Sequence, residues 1–153
     1  MKLKHIEILM KNPYNGSEIL THFASGYNTQ GIPLELFYLV LPIMLNKQTR
    51  DIFASVNKSN NLSNIIKENL FISANFQNKI RSLKDLTNLS LIVAHNNKQL
   101  NVTNMVSTID YLDYNKSPIN KKDSHRAAYY LGFILSKEKS HIQVFKKFKV
   151  LPK

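Results

Sequence analysis

The chain has 153 residues and a mass of 17.7 kDa, the size of one domain, and a chain of this length buries about 68–70% of its unfolded surface without covalent staples. It contains no cysteine, which excludes disulfides, thiolate zinc sites, iron–sulfur clusters and cysteine nucleophiles and makes a reducing cytoplasm the expected compartment. Lys and Arg number 21 against 10 Asp and Glu, a net charge of +11, and the second half carries most of it: +2 over residues 1–77 and +9 over 78–153. Such asymmetry suits a face that meets a polyanion or an acidic protein. Eighteen of the 21 cations are Lys and there are 18 Asn, so a Lys-rich solvated surface set by genome composition explains the charge equally well.

In chain order, Lys4–Met10 reads as a short strand leading into the turn signal Asn12-Pro13-Tyr14-Asn15-Gly16. Ser17 is expected to cap a short helix that turns Ile19, Leu20 and Phe23 inward and ends at Gly26. Ile32–Leu45 is the most apolar stretch, but 14 residues with Glu35 and two prolines are too few to span a bilayer, which needs about 20. It predicts a buried helix beginning at Pro33, with Leu34, Phe37, Tyr38, Leu41 and Leu45 at helical spacing, kinked near Tyr38 by Pro42, and continuing through Thr49, Arg50 and Phe53.

A short helix follows over Leu62–Leu70, then a longer one from about Asn75 to His95. The latter starts with Phe76, Ile80 and Leu83 inward and Lys79, Arg81 and Lys84 outward. Its end is nearly all apolar (Leu86, Leu89, Leu91 to Ala94) and is expected to be enclosed. Leu100, Val102, Val106 and Thr108 alternate with polar neighbours as a two-stranded ribbon. After a connection over Tyr111–Ser117, Asp123 or Ser124 is expected to cap a helix to Ser136. A last helix, about Lys139–Phe148, places Ile142, Phe145 and Phe148 on one face. The fold class is therefore mostly α with a small β ribbon, a single domain over 1–153. Its winged-helix-like core spans about 33–110, and a basic helical part spans 118–153.

Catalytic and metal chemistry find little footing. The five histidines (His5, His22, His95, His125, His141) show no pair at metal-ligand spacing; His22 reads as a helix-surface residue and His95 as a cation at a helix C-terminus. Asp110, Asp113 and Asp123 are the one conceivable magnesium set. The four glycines, at 16, 26, 31 and 132, cannot cradle a phosphate or form a nucleophile elbow. No enzyme and no cofactor are expected.

Asn12-Pro13 ahead of a short helix, followed by Pro33-Leu34-Glu35-Leu36-Phe37-Tyr38-Leu39-Val40-Leu41-Pro42-Ile43-Met44-Leu45-Asn46-Lys47-Gln48-Thr49-Arg50, resembles the middle component of three-component ABC systems, the small accessory subunit of Lamassu-type bacterial anti-phage defence. The likeness covers about residues 12–152 and continues through the order of the later helices. The tail Val144–Lys149 is more basic than the family's aliphatic ending. The resemblance implies a non-catalytic adaptor between an SMC-like ABC ATPase and an effector, often a nuclease.

On this reading Thr49, Arg50, Phe145 and Phe148 are candidates for partner docking. Apolar side chains among Leu34–Leu45 or Phe145–Phe148 would then be exposed in the isolated chain. Lys79, Arg81, Lys84, Lys121, Lys122, Arg126, Lys139, Lys146, Lys147 and Lys149 are candidates for contact with DNA phosphates or an acidic partner. Tyr129 and Tyr130 could stack a base or face the core. The alternative is a free-standing winged-helix regulator with Lys79, Arg81 and Lys84 in the major groove. Only Gln77, Asn78 and Arg81 offer base-reading groups there, so the adaptor is favoured.

Overall fold

The computed structural model describes residues 11–28 and 31–150; the strand expected over Lys4–Met10 and the last residues, 151–153, lie outside this range. Helix α1 (Pro13–Tyr27) begins four residues before Ser17 because Asn12 is extended and its side chain accepts from Asn15 N–H at 2.8 Å, with Pro13 in the first turn. Ser17 is buried and donates to Tyr14 O instead. Gly26 does not end the helix; Asn28, left-handed at φ 52, does.

Pro33 lies in a strand rather than a helix. Strand β1 (Ile32–Pro33) pairs antiparallel with β3 (Met105–Thr108), Ile32 opposite Val106 and Pro33 opposite Met105. An edge strand tolerates the missing N–H as well as a helix start does. A 3₁₀ turn over Leu34–Leu36 then leads into α2 (Phe37–Met44). The single kinked helix expected here is two helices. Asn46 takes an extended conformation and its side chain accepts from Gln48 N–H and Thr49 N–H at 3.0 and 3.2 Å, starting α3 (Lys47–Ser55).

The predicted short and long helices appear as α4 (Leu62–Glu68) and α5 (Phe76–Asn96). Strand β2 (Leu100–Val102) pairs with β3 as the expected ribbon, Val102 opposite Val106, and β1 adds a third strand in the order β1-β3-β2. Helix α6 (Ile119–Ser136) starts directly after the extended Pro118, earlier than Asp123. Ser140 caps α7 (His141–Lys147). The protein is mostly helical with a small antiparallel sheet.

The core is arranged around α1, which packs against α5 on one side and α6 on the other. Successive contacts between α1 and α6 (Glu18 with Lys121, His22 with His125, Gly26 with Tyr129) advance in the same direction, so the two helices run parallel. Two glycines permit their approach. A Cβ on Gly26 would lie 1.8 Å from Tyr129 O, and one on Gly132 would lie 2.0 Å from Phe23 O. Leu36, Phe37 and residues 39–44 are fully buried, so this stretch is core and not a waiting interface.

The apolar end of α5 is not enclosed as expected. Thr87, Ser90, Leu91 and Ala94 face the core, whereas Leu89 and Ile92 remain 50% and 53% exposed. With 3.6 residues per turn, a helix packed along one side cannot bury an apolar run on every side. Among the described residues no helix is long and apolar enough to cross a membrane.

Candidate functional site

The parallel seam of α1 and α6 encloses two imidazoles. His22 and His125 are both buried and stack with ring centroids 4.1 Å apart, so His22 is not on the helix surface. Ser117 Oγ lies 2.7 Å from His125 Nδ1, and the opposite nitrogen, Nε2, lies 3.3 Å from Glu18 Oε2 without hydrogen-bond alignment. Glu18 accepts from Lys121 Nζ at 3.1 Å. A cleft of about 290 Å³ bordered by His22, Tyr111, Asp113, Lys116 and Ser117 opens beside the pair.

Burial, reinforced by the neighbouring His125 ring and opposed by Asp113, lowers the His22 pKa to about 3. Burial also lowers that of His125, against the attraction of Glu18. Hydroxyl, imidazole and carboxylate follow one another as in a nucleophile relay, yet Glu18 approaches the ring off-line and binds a lysine. The arrangement chiefly joins α1, α6 and the connection between them. Asp113 N-caps a 3₁₀ turn over Tyr114–Lys116 by accepting from Asn115 N–H. No three His, Asp or Glu converge on a metal position among the described residues. His95 lies in the last turn of α5, as expected, and its Nδ1 accepts from Val102 N–H at 3.1 Å.

The predicted docking residues are engaged within the molecule. Thr49 is buried and donates to Ile43 O at 2.6 Å, while Arg50 Nη1 donates to Met44 O at 3.1 Å. Both serve carbonyls that the end of α2 leaves without helical donors. Phe145 is buried, and Phe148 is stacked on Phe76 with centroids 4.8 Å apart. In this conformation neither ring is presented to a partner; Ile142, expected beside them, is 45% exposed.

The cations divide into three groups. Arg126 is tied into the fold: its guanidinium lies 4.3 Å from the Tyr130 ring centre and reaches Val56 O, and Tyr130 packs with Tyr129 and Tyr114. These tyrosines are half-buried in a packed cluster. Lys121 pairs with Glu18, whereas Lys122 is exposed. Along α5, Lys79 is half-buried and Arg81 and Lys84 are exposed; Arg81 borders a cleft of about 190 Å³ with Asn75, Gln77, Asn78 and Lys149.

At the corner between α6 and α7, Lys137, Lys139 and Lys147 border a larger cleft of about 400 Å³ with Glu138 and Gln143. Lys146 is exposed on α7. Lys58 was not among the sequence candidates, and neither were the exposed Leu89 and Ile92. Only the fold brings Lys58, 79 residues before Lys137, to this corner.

Residues 1–152 match the family model described as ABC-three component (ABC-3C) system Middle Component 3. The chain belongs to this family. No curated protein and no solved structure matches it. A middle component of a multi-component ABC system has partner subunits, so surfaces left unfilled by the chain's own packing are where contacts should be sought. In this middle component such surfaces include the Leu89–Ile92 face of α5, the exposed Leu70, Ile109 and Ile119, and the basic clefts at either end of α7.

Proposed function

We propose that this middle component is a non-catalytic accessory subunit of a bacterial anti-phage defence complex of the Lamassu type. It would bridge an SMC-like ABC ATPase and an effector subunit, often a nuclease, with any DNA contact made through phosphates. The family match over residues 1–152 carries this reading. The Leu89–Ile92 pair supports it. An apolar pair left outward on a helix whose opposite side packs into the core is what a subunit offers to a protein partner.

A second reading is a free-standing winged-helix regulator, favoured by the strand order β1-β3-β2 behind α5. In that reading α5 would lie in the major groove. Its outward stripe runs Asn78, Arg81, Asp85, Leu89, Ile92, which would bring a carboxylate and two bare aliphatic side chains against DNA. The adaptor accounts for that stripe better.

The test is co-expression with the neighbouring open reading frames and mass-calibrated chromatography of the tagged chain. A stable assembly containing a large coiled-coil ATPase is the expected result. A lone monomer or dimer that reads a specific duplex would replace the adaptor with the regulator.

A further inference from the structure

We propose that the corner between α6 and α7 is a binding site for the phosphates of duplex DNA, formed by Lys58, Lys137, Lys139 and Lys147 around Phe133. It takes from the adaptor reading only that DNA is the polyanion within reach of the complex. The observation behind it is a concentration of like charge that the fold holds in place. Lys137 lies at the C-terminal cap of α6, and its ammonium donates to Lys58 O and to Asn60 O, the latter at 2.7 Å. It also lies 5.0 Å from the Phe133 ring centre, and the Lys58 ammonium lies 5.7 Å from the same ring. Lys139 and Lys147 border the same 400 Å³ cleft as Lys137.

Glu138 is the one acid lining that cleft, and Lys147 pairs with it. In the cleft lining three lysines against one carboxylate leave +2, and the Lys58 ammonium over Phe133 lies beside Lys137. Free side chains of one sign would spread apart in water; here two backbone carbonyls and a ring face hold two of them near each other. A bound anion relieves that repulsion, and binding releases counterions from the nucleic acid.

Among the described residues no arginine lines the cleft, so an anion there meets point charges and no planar two-point grip. Lysine ammoniums act on phosphates as point charges. Single strands are usually gripped by bases stacked on open aromatics. Phe133 is taken by two lysines, and Tyr129 and Tyr130 pack with Tyr114. A regular double-stranded backbone needs no such platform.

The experiment is fluorescence anisotropy of a labelled short duplex with the isolated full chain, from about 50 to 200 mM salt. The pair Lys58→Gln with Lys139→Gln, both exposed, is compared with Arg81→Gln plus Lys84→Gln on α5, which removes the same charge. The corner pair should weaken binding about tenfold and lower the salt slope by about 2, with the α5 pair within about twofold of the parent. Circular dichroism checks folding. If the double variant melts early, Lys139→Gln alone should still lower the slope by about 1.

Equal losses from both pairs would mean that net charge alone is read and would overturn the corner. Absence of duplex binding would overturn it too. Tighter binding to a single strand, or displacement of the duplex by tripolyphosphate at equal phosphate concentration, would overturn the duplex assignment. A chain that binds duplex through this corner but assembles with no partner keeps the site and sinks the adaptor. One that assembles but binds no DNA does the reverse.

Discussion

His22 and His125 show how much a single buried ring can set a protein's response to acid. Each would take up a proton near pH 6.5 in the unfolded chain. In the fold, burial and the neighbouring ring hold His22 to about 3, with Asp113 pulling the other way, and burial holds His125 below its usual range despite Glu18. Below pH 6.5 the unfolded state therefore binds more protons than the folded one, so acid favours unfolding. This contribution is fully present above 6.5 and is lost as the pH falls toward 3. Its slope is at most about 1.4 kcal/mol per pH unit for each proton involved. We expect the urea midpoint to fall steadily from about pH 7 to about pH 4, and His22→Phe to remove roughly half of that slope. A flat midpoint in the parent protein would mean that the rings ionise without leaving their stack.

The placement of His22 was not readable from the sequence, because both flanks of α1 are covered by α5 and α6 and no single apolar stripe marks the buried side.

At the scale of elements, periodicity made α4, α5 and the ribbon legible, since each carries apolar residues at the spacing its geometry requires. The errors sit at prolines and asparagines. Pro33 reads as a helix start but lies in an edge strand, and a missing N–H is harmless in either place. Pro118 and Asn12 move the starts of α6 and α1 toward the N-terminus, and Asn46 divides the expected kinked helix into α2 and α3. The parallel seam of α1 and α6 could not be read at all. Its partners are about a hundred residues apart, and glycine in a helix reads as a weak point until a neighbouring backbone is seen against it.

That close approach makes a measurable prediction. A methyl on Gly132 would meet Phe23 O at 2.0 Å and Tyr27 N at 2.8 Å, both backbone atoms that cannot rotate aside. Gly132→Ala should therefore lie at the upper end of overpacking costs, about 3 kcal/mol, despite alanine's better helix propensity. A thermal midpoint lower by roughly 6–12 °C would bear this out. An unchanged or raised midpoint would show that the seam can open without loss.

For the whole molecule, charge and partners were legible in outline: the basic second half and the family resemblance both lie in the linear sequence. The surfaces were not. Lys58 reaches the basic corner, and Glu18 and Ser117 reach His125, only through folding. Leu89 and Ile92 share an apolar run with Leu91, and sequence alone cannot say which of the three faces out. The structure separates them, and the separation can be used. Leu91 is 5% exposed, so a charge there would be buried without a partner and should unfold the chain. Leu89 and Ile92 are about half exposed, so Leu89→Glu with Ile92→Glu should leave the thermal midpoint within a few degrees of the parent. If this face is where the ATPase or effector docks, the same pair buries two carboxylates against an apolar surface. The captured partner should then fall at least tenfold in co-purification, because desolvated anchors at the centre of an interface each carry more than about 1 kcal/mol. Full capture with an unchanged midpoint would remove α5 from the interface. Loss of capture together with a collapsed midpoint would assign Leu89 and Ile92 to stability, contrary to their exposure.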